Sequence, residues 1–293
     1  MFLCIQTAES EQFHCISLYF RLKSDMCALE YETGEMSMFE RPDLATAVFL
    51  AVMGFVASFI DSVVGGGGLI STPALLWAGL PSITTLATNK VAATMGSLTS
   101  FVQFVRSGKM DTELIKKLFP ISFIGSVLGV FAVRMVPADF LKPLVIVMLI
   151  GVALYSIFKK DWGKVSTYHG MTNRMFVLSC VTAFVFGFYD GFFGPGTGSF
   201  LLFAFLMIGF DFIGAAANGR ALNFASNIAA FITFTALGLA NYGYAIPMGI
   251  AMIAGAVCGT KMALTKGAAY VRPLFIGVTS ILIGKQLWDL FFK

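Results

Sequence analysis

Four ionisable side chains stand inside otherwise apolar stretches of the sequence: Asp61, Lys90, Asp190 and Arg220. An ionised group in hydrocarbon costs several kcal/mol unless it is paired or wet, so such residues mark a functional site by default. Each aspartate is followed at once by a glycine-rich break, "DSVVGGGGLIST" after Asp61 and "DGFFGPGTGSF" after Asp190. Breaking a helix in a membrane frees N–H and C=O groups, which is tolerable only where protein or a water-filled cavity surrounds them. Glycine permits the turn and the close approach of a ligand. A short helix starting after the break offers its N-terminal amides and positive dipole end to an anion. The candidate binding residues are therefore Gly65, Gly66, Gly67 and Gly68 in the first break and Gly194, Gly196 and Gly198 in the second.

The elements that must carry these residues follow from composition. The chain has 293 residues, 57% hydrophobic and 12% charged, where a soluble domain carries about a quarter charged residues. Its mean hydropathy of +0.83 and continuous apolar runs such as "PLVIVMLIGVALYSIF" exclude a water-soluble protein. They also exclude the alternating pattern of a β-barrel. The fold class is all-α, a polytopic helical membrane protein. Long apolar segments lie at roughly 44–61, 83–105, 114–133, 140–158, 174–190, 213–237, 243–264 and 270–290. Two shorter ones, 68–80 and 197–210, span about 20 Å as helix, less than a hydrocarbon core of ~30 Å. They read as half-helices or re-entrant segments.

The halves repeat. Sliding the sequence by about 130 residues sets Asp61 on Asp190, Gly65 on Gly194 and Gly67 on Gly196. With one residue added, it sets Lys90 on Arg220, Ser97 on Asn227, Phe101 on Phe231 and Gly108 on Gly238. Duplicated, Gly/Pro-interrupted short segments at matching places point to a secondary transporter's binding site. The expected domains are an N-terminal extension at 1–42, a membrane repeat at 43–160, a cytoplasmic linker at 161–173 and a second repeat at 174–293.

Orientation is read from basic loops. Arg106, Lys109, Lys116 and Lys117 share a face with Lys159, Lys160, Lys164 and Arg174, and the positive-inside rule makes that face cytoplasmic. Lys261, Lys266 and Arg272 join it only if the halves run in opposite directions, the arrangement favoured here.

Lys90 and Arg220, one per half, are placed to face each other across a pseudo-two-fold axis and to hold a small anion with the two helix ends. Arginine adds a planar fork for oxyanions, whereas lysine acts as a point charge. Asn89, Ala93, Gly96, Ser97 and Ser100 form one small, polar helical face, and Gly219, Asn223, Ser226, Asn227 and Ala230 form another. Such stripes serve either as a wet path or as a close helix contact. The charges have a structural alternative, Asp61 pairing with Arg220 and Asp190 with Lys90. In either case the aspartates are candidates for ion pairing or for carrying a coupling proton.

"FIDSVVGGGGLISTPALLWAGLPSITTLATNKVAATMGS" and "GFYDGFFGPGTGSF" resemble the two signature regions of the TauE/SafE sulfite-exporter family, most closely its YfcA-like inner-membrane branch. The likeness runs from about residue 45 to the C-terminus. It implies a duplicated transport fold and movement of small sulfur-containing or organic anions, of the sulfite, sulfoacetate or sulfonate class. The family's functional positions fall here on Gly65 to Gly68, Pro73, Asn89, Lys90, Asp190, Gly194, Pro195 and Gly196. Arg220 stands where relatives commonly have lysine. No cofactor, metal site, catalytic residue or nucleic-acid partner is expected. The partners are the anion and the lipid bilayer, with room for a homo-oligomer. A passive anion channel is the alternative reading, and an intramembrane aspartyl-type enzyme the weaker one, since its Gly-x-Gly-Asp pattern is missing.

Overall fold

The computed structural model describes residues 39–133 and 172–267, with residues 135, 166, 168, 270, 273 and 277. The expected spans at 140–158 and 270–290, most of the extension at 1–42 and nearly all of the linker at 161–173 lie outside the described residues. All described residues belong to one unit, 38–293.

Eight α-helices account for the described chain. They are α1 (Leu44–Val64), α2 (Gly68–Trp77), α3 (Ser82–Arg106), α4 (Thr112–Val133), α5 (Asn173–Phe192), α6 (Thr197–Ile208), α7 (Phe212–Ala236) and α8 (Tyr242–Lys266). Each predicted apolar segment within the described residues is a helix, and both short segments are short helices. Polar residues start five of the six long ones: side chains of Asp43, Asp111, Thr172, Asp211 and Asn241 accept first-turn N–H groups of α1, α4, α5, α7 and α8, while α3 starts after Pro81. Such caps satisfy amides that no carbonyl within the helix can reach.

Four helices, α1, α4, α5 and α8, are long and apolar enough to cross a membrane. The other two long ones, α3 and α7, have 25 residues each, about 37 Å of helix, but carry buried polar residues. They form the centre of the bundle, touching each other and one apolar helix from each half.

Side-chain contacts fix the direction of every long helix. Ser62 meets Ser100, and Gly96 lies against Ser58, so α1 and α3 run parallel. Gly255 and Gly259 press on the carbonyls of Phe55 and Phe59, which makes α8 parallel to α1. Ser122 and Ser126 donate to the carbonyls of Leu222 and Ser226, so α4 runs parallel to α7. Gly125 and Gly129 lie on Phe184 and Phe188 of α5, again in parallel. Between these two sets the direction reverses. Lys90 reaches Asn227, the Asn241 N–H reaches Thr88, and the Asp111 N–H reaches Asn218, so α3 and α7 are antiparallel.

The consequence is an inverted duplication. The neighbours of α1–α4 map onto those of α5–α8: α1 on α8 matches α5 on α4, α3 on α8 matches α7 on α4, and α3 on α7 matches itself. Each half thus lays its last described helix against the first helix of the other. Glycines spaced four apart (Gly125/Gly129, Gly187/Gly191, Gly255/Gly259) bring these helix backbones together, the small-residue packing that serves where hydrophobic burial gives no drive.

The short helices fold back. Trp77 at the end of α2 packs on Phe49 near the start of α1, with ring centroids 4.6 Å apart, while Gly67 lies against Ala57 and Asp61. In the second half, Tyr189 bonds the Pro195 carbonyl and Phe186 stacks on Phe200. Each half opens with a helical hairpin that dips into the bundle and returns. With these directions, Arg106, Lys109, Lys116, Lys117, Arg174, Lys261 and Lys266 all gather at one end of the bundle.

Candidate anion site at two broken helices

Both breaks come together in space. A side chain on Gly65, at φ 83°, would run into the backbone of Gly198 and Ser199, and Gly68 lies against Pro195. The Ser199 hydroxyl donates to the Val64 carbonyl across the junction, 3.3 Å away. Only glycine allows this approach, and the junction is a backbone-to-backbone seam between the halves.

Beside the seam is a cavity of about 40 Å³, room for a few waters or one small anion. It is lined by Asp61, Gly66, Gly67, Gly68, Asn89, Lys90, Ser97, Asp190, Gly194, Gly196, Gly198, Asn223 and Asn227. Of the glycines and charged residues singled out as the binding and ion-pair set, Gly65 and Arg220 are not on the wall, and neither are Pro73 and Pro195. Gly65 is consumed by the seam. Arg220, 2% exposed, sits behind Gly198, where a Cβ would overlap its guanidinium.

The two cations do not face each other unpaired. Lys90 Nζ lies 2.8 Å from Asp190 Oδ1, both side chains 3% exposed, and also donates to Asn227 Oδ1 at 3.1 Å. Arg220 Nη1 pairs with Asp61 Oδ2 and donates to Asn223 Oδ1 at 3.3 Å. Each pair joins the two halves, and the pairs exchange places under the pseudo-symmetry. Asp61 Oδ1 accepts the Gly67 N–H at 3.0 Å, so this carboxylate already occupies the amide end of α2. A protein carboxylate holds the position where the sequence suggests a free anion cradle. With all four ionised, the site's formal charge is zero.

The two small-residue stripes divide their labour. Asn89, Ala93 and Ser97 of α3 face the cavity, as do Asn223 and Asn227 of α7. Gly96 packs on Ser58 and Met252, and Ser100 is held by Ser62 and Thr260. Gly219 packs on α6, Ser226 receives Ser126 through its carbonyl, and Ala230 belongs to an apolar cluster. The 3.6-residue period marks a face about 100° wide, wide enough to serve both ends.

Ser58, Ser71, Thr197 and Met252 also line the cavity without having been read from the sequence. Ser58 lies one helical turn before Asp61, and Thr197 matches Gly68 under the repeat, so both were within reach of the same reasoning. Met252 carried no such signal, because α8 reaches the site only through its packing on α1 and α3.

Comparison with known proteins follows the same outline. The family model for "Sulfite exporter TauE/SafE" matches residues 50–285. The chain belongs to the TauE/SafE family. It is 38% identical over 242 residues to "Probable membrane transporter protein ORF9" of Sinorhizobium sp, covering 82% of this chain and 92% of that one. It is 34% identical over 261 residues to "Probable membrane transporter protein YfcA" of Escherichia coli K12, covering 87% and 95%. Similarity to "Sulfite exporter TauE/SafE family protein 6" of Arabidopsis thaliana is 38% over 106 residues, 36% of this chain and 24% of that one. No solved structure matches the chain. It is thus a membrane transporter of the TauE/SafE family, and the matched residues include both glycine breaks and Asp61, Lys90, Asp190 and Arg220 of this TauE/SafE protein.

Proposed function

We propose that this TauE/SafE protein is a secondary transporter, not an enzyme, that moves small sulfur-containing or organic anions of the sulfite, sulfoacetate and sulfonate class across the cytoplasmic membrane. The observation that carries the reading is the polar cavity where two inverted, broken helices meet, with Lys90 on its wall and Arg220 behind it. Binding at the interface of inverted repeats suits alternating access, in which one half rocks against the other around a fixed site. Asn89, Ser97, Asn223 and Asn227 supply neutral hydrogen-bonding groups that an oxyanion can use without adding charge. Asp61 and Asp190 are each bonded to a cation rather than to one another, unlike a carboxylate pair sharing one proton. That supports the non-enzymatic reading. The basic end of the bundle is assigned to the cytoplasm.

Uptake of labelled sulfite and of ethanesulfonate into proteoliposomes tests this. Saturable flux with counterflow is expected. Flux that never saturates and shows no exchange would establish a passive channel instead. Replacing Lys90 and Arg220 together with glutamine is expected to abolish flux in folded protein, and undiminished flux would remove both cations from the mechanism.

A further inference from the structure

Asp190 is held differently from every other charged group in the cavity. Its Oδ1 faces Lys90 at 2.8 Å, but its Oδ2 has no hydrogen-bond partner although the residue is only 2% exposed. A buried acceptor without a donor costs free energy and asks for an explanation. Asn89 Oδ1, on a residue 6% exposed that lines the same cavity, is a second acceptor without a donor. Two unsatisfied acceptors in one cavity lack the same thing, a hydrogen.

We propose that Asp190 is the proton-binding site of the transport cycle: one proton enters on its carboxylate as one monovalent anion enters the cavity, and the anion takes over the Lys90 ammonium. The proposal rests on the anion-transport reading above. The proton passes from water to a carboxylate oxygen, and no other bond forms or breaks. The hydroxyl so formed is a donor where two acceptors stood.

Charge balance demands such a step. The groups facing Asp190 are Lys90 from α3, its own neighbour Tyr189, whose hydroxyl is committed to the Pro195 carbonyl, and the Asp61–Arg220 pair from α1 and α7. Helix α6 brings no ionisable residue, those of α4 lie in its first two turns, and those of α8 are Tyr242 and Tyr244 in its first turn, Lys261 and Lys266 in its last two, and the exposed Cys258. The ionised cavity sums to zero, so an anion added alone would be an uncompensated buried charge. A proton on Asp190 leaves Lys90 unbalanced, and the anion restores neutrality. Asp61 does not suit the task. Its two oxygens already accept from the Gly67 N–H and from Arg220.

The test uses the purified full-length protein with ethanesulfonate, which carries no group that titrates near neutral pH. For the wild type, binding measured by calorimetry should tighten about tenfold for each unit fall in pH, the slope of one proton taken up per anion. Infrared difference spectra on adding ethanesulfonate should show a new protonated-carboxyl band. Asp190→Asn should bind the anion with no pH slope and no band. Asp190→Glu should keep the slope and move the band in frequency, because the protonated group is then a glutamic acid. A wild-type slope in Asp190→Asn, or a band unmoved in Asp190→Glu, overturns the assignment. Should Asp190→Asn not fold, the band in Asp190→Glu decides. Binding with no slope in the wild type sinks the proton step but not the anion reading. Failure of ethanesulfonate, sulfite and sulfoacetate to bind at any pH ends both.

Discussion

In the first half the chain leaves α1 through Gly65 and Gly66, at φ 83° and 86°; in the second it leaves α5 through Gly194 and Gly196, both at φ 93°, with Pro195 between them. Proline cannot take a positive φ, so the left-handed residue moves one place along the second break. The two turns then present different amides. In the first, the Gly67 N–H meets Asp61; in the second, Asp190 keeps one oxygen bare. Duplication supplied the same topology twice. One residue in a break decided which carboxylate is a fully bonded strut and which retains a free site.

That difference can be broken most severely at the seam. Gly65→Ala sets a Cβ into the second half's backbone at a positive φ, whereas Gly79→Ala changes a residue at φ 93° with nothing within 4 Å. Gly79→Ala should cost about 1–2 kcal/mol, the ordinary penalty of a left-handed L-residue. Gly65→Ala should fail to give a monodisperse folded protein in detergent. Comparable thermal stabilities for the two would mean that the breaks do not touch.

Next come the ion pairs. Lys90→Gln strands Asp190, whose remaining oxygen is already unpartnered, and should cost about 3–5 kcal/mol in denaturation assays. Arg220→Gln should cost less, because Asp61 keeps the Gly67 amide and is 24% exposed. Adding Asp190→Asn to Lys90→Gln should restore much of the loss, since no charge is left buried alone. Equal costs for the two single variants would remove the proposed asymmetry.

The proline itself gives the smallest effect. Pro195→Gly should lose about 0.4–1 kcal/mol, through greater freedom of the unfolded chain. Its counterpart, Gly66→Pro, demands a φ that the ring forbids and should cost about 3 kcal/mol or more. Thermal melts of the two variants side by side would expose any hidden equivalence between the breaks.

Most helices were legible because a membrane leaves few choices. Segment 83–105 became α3 at 82–106 and 213–237 became α7 at 212–236, since apolar length, with Pro81 before α3 and the Asp211 cap before α7, fixes such ends locally. The repeat made Asp61, Lys90, Asp190 and Arg220 visible as a set. Illegible were the capping of α2 by Asp61, the bare oxygen of Asp190 and the place of Met252 on the wall. The first depends on the turn angles of the glycine break, and the other two on where a distant element comes to rest.

The sequence by itself determined a duplicated helical membrane protein with two glycine breaks and a balanced set of intramembrane charges, because hydropathy, spacing and internal likeness are properties of the chain alone. Only the tertiary structure decided that the short helices turn back, that each cation is neutralised by an aspartate of the other half, and that Arg220 stands behind the wall while Lys90 stands on it. Those outcomes depend on φ at a few glycines and on contacts between residues more than a hundred positions apart, such as Lys90 with Asn227.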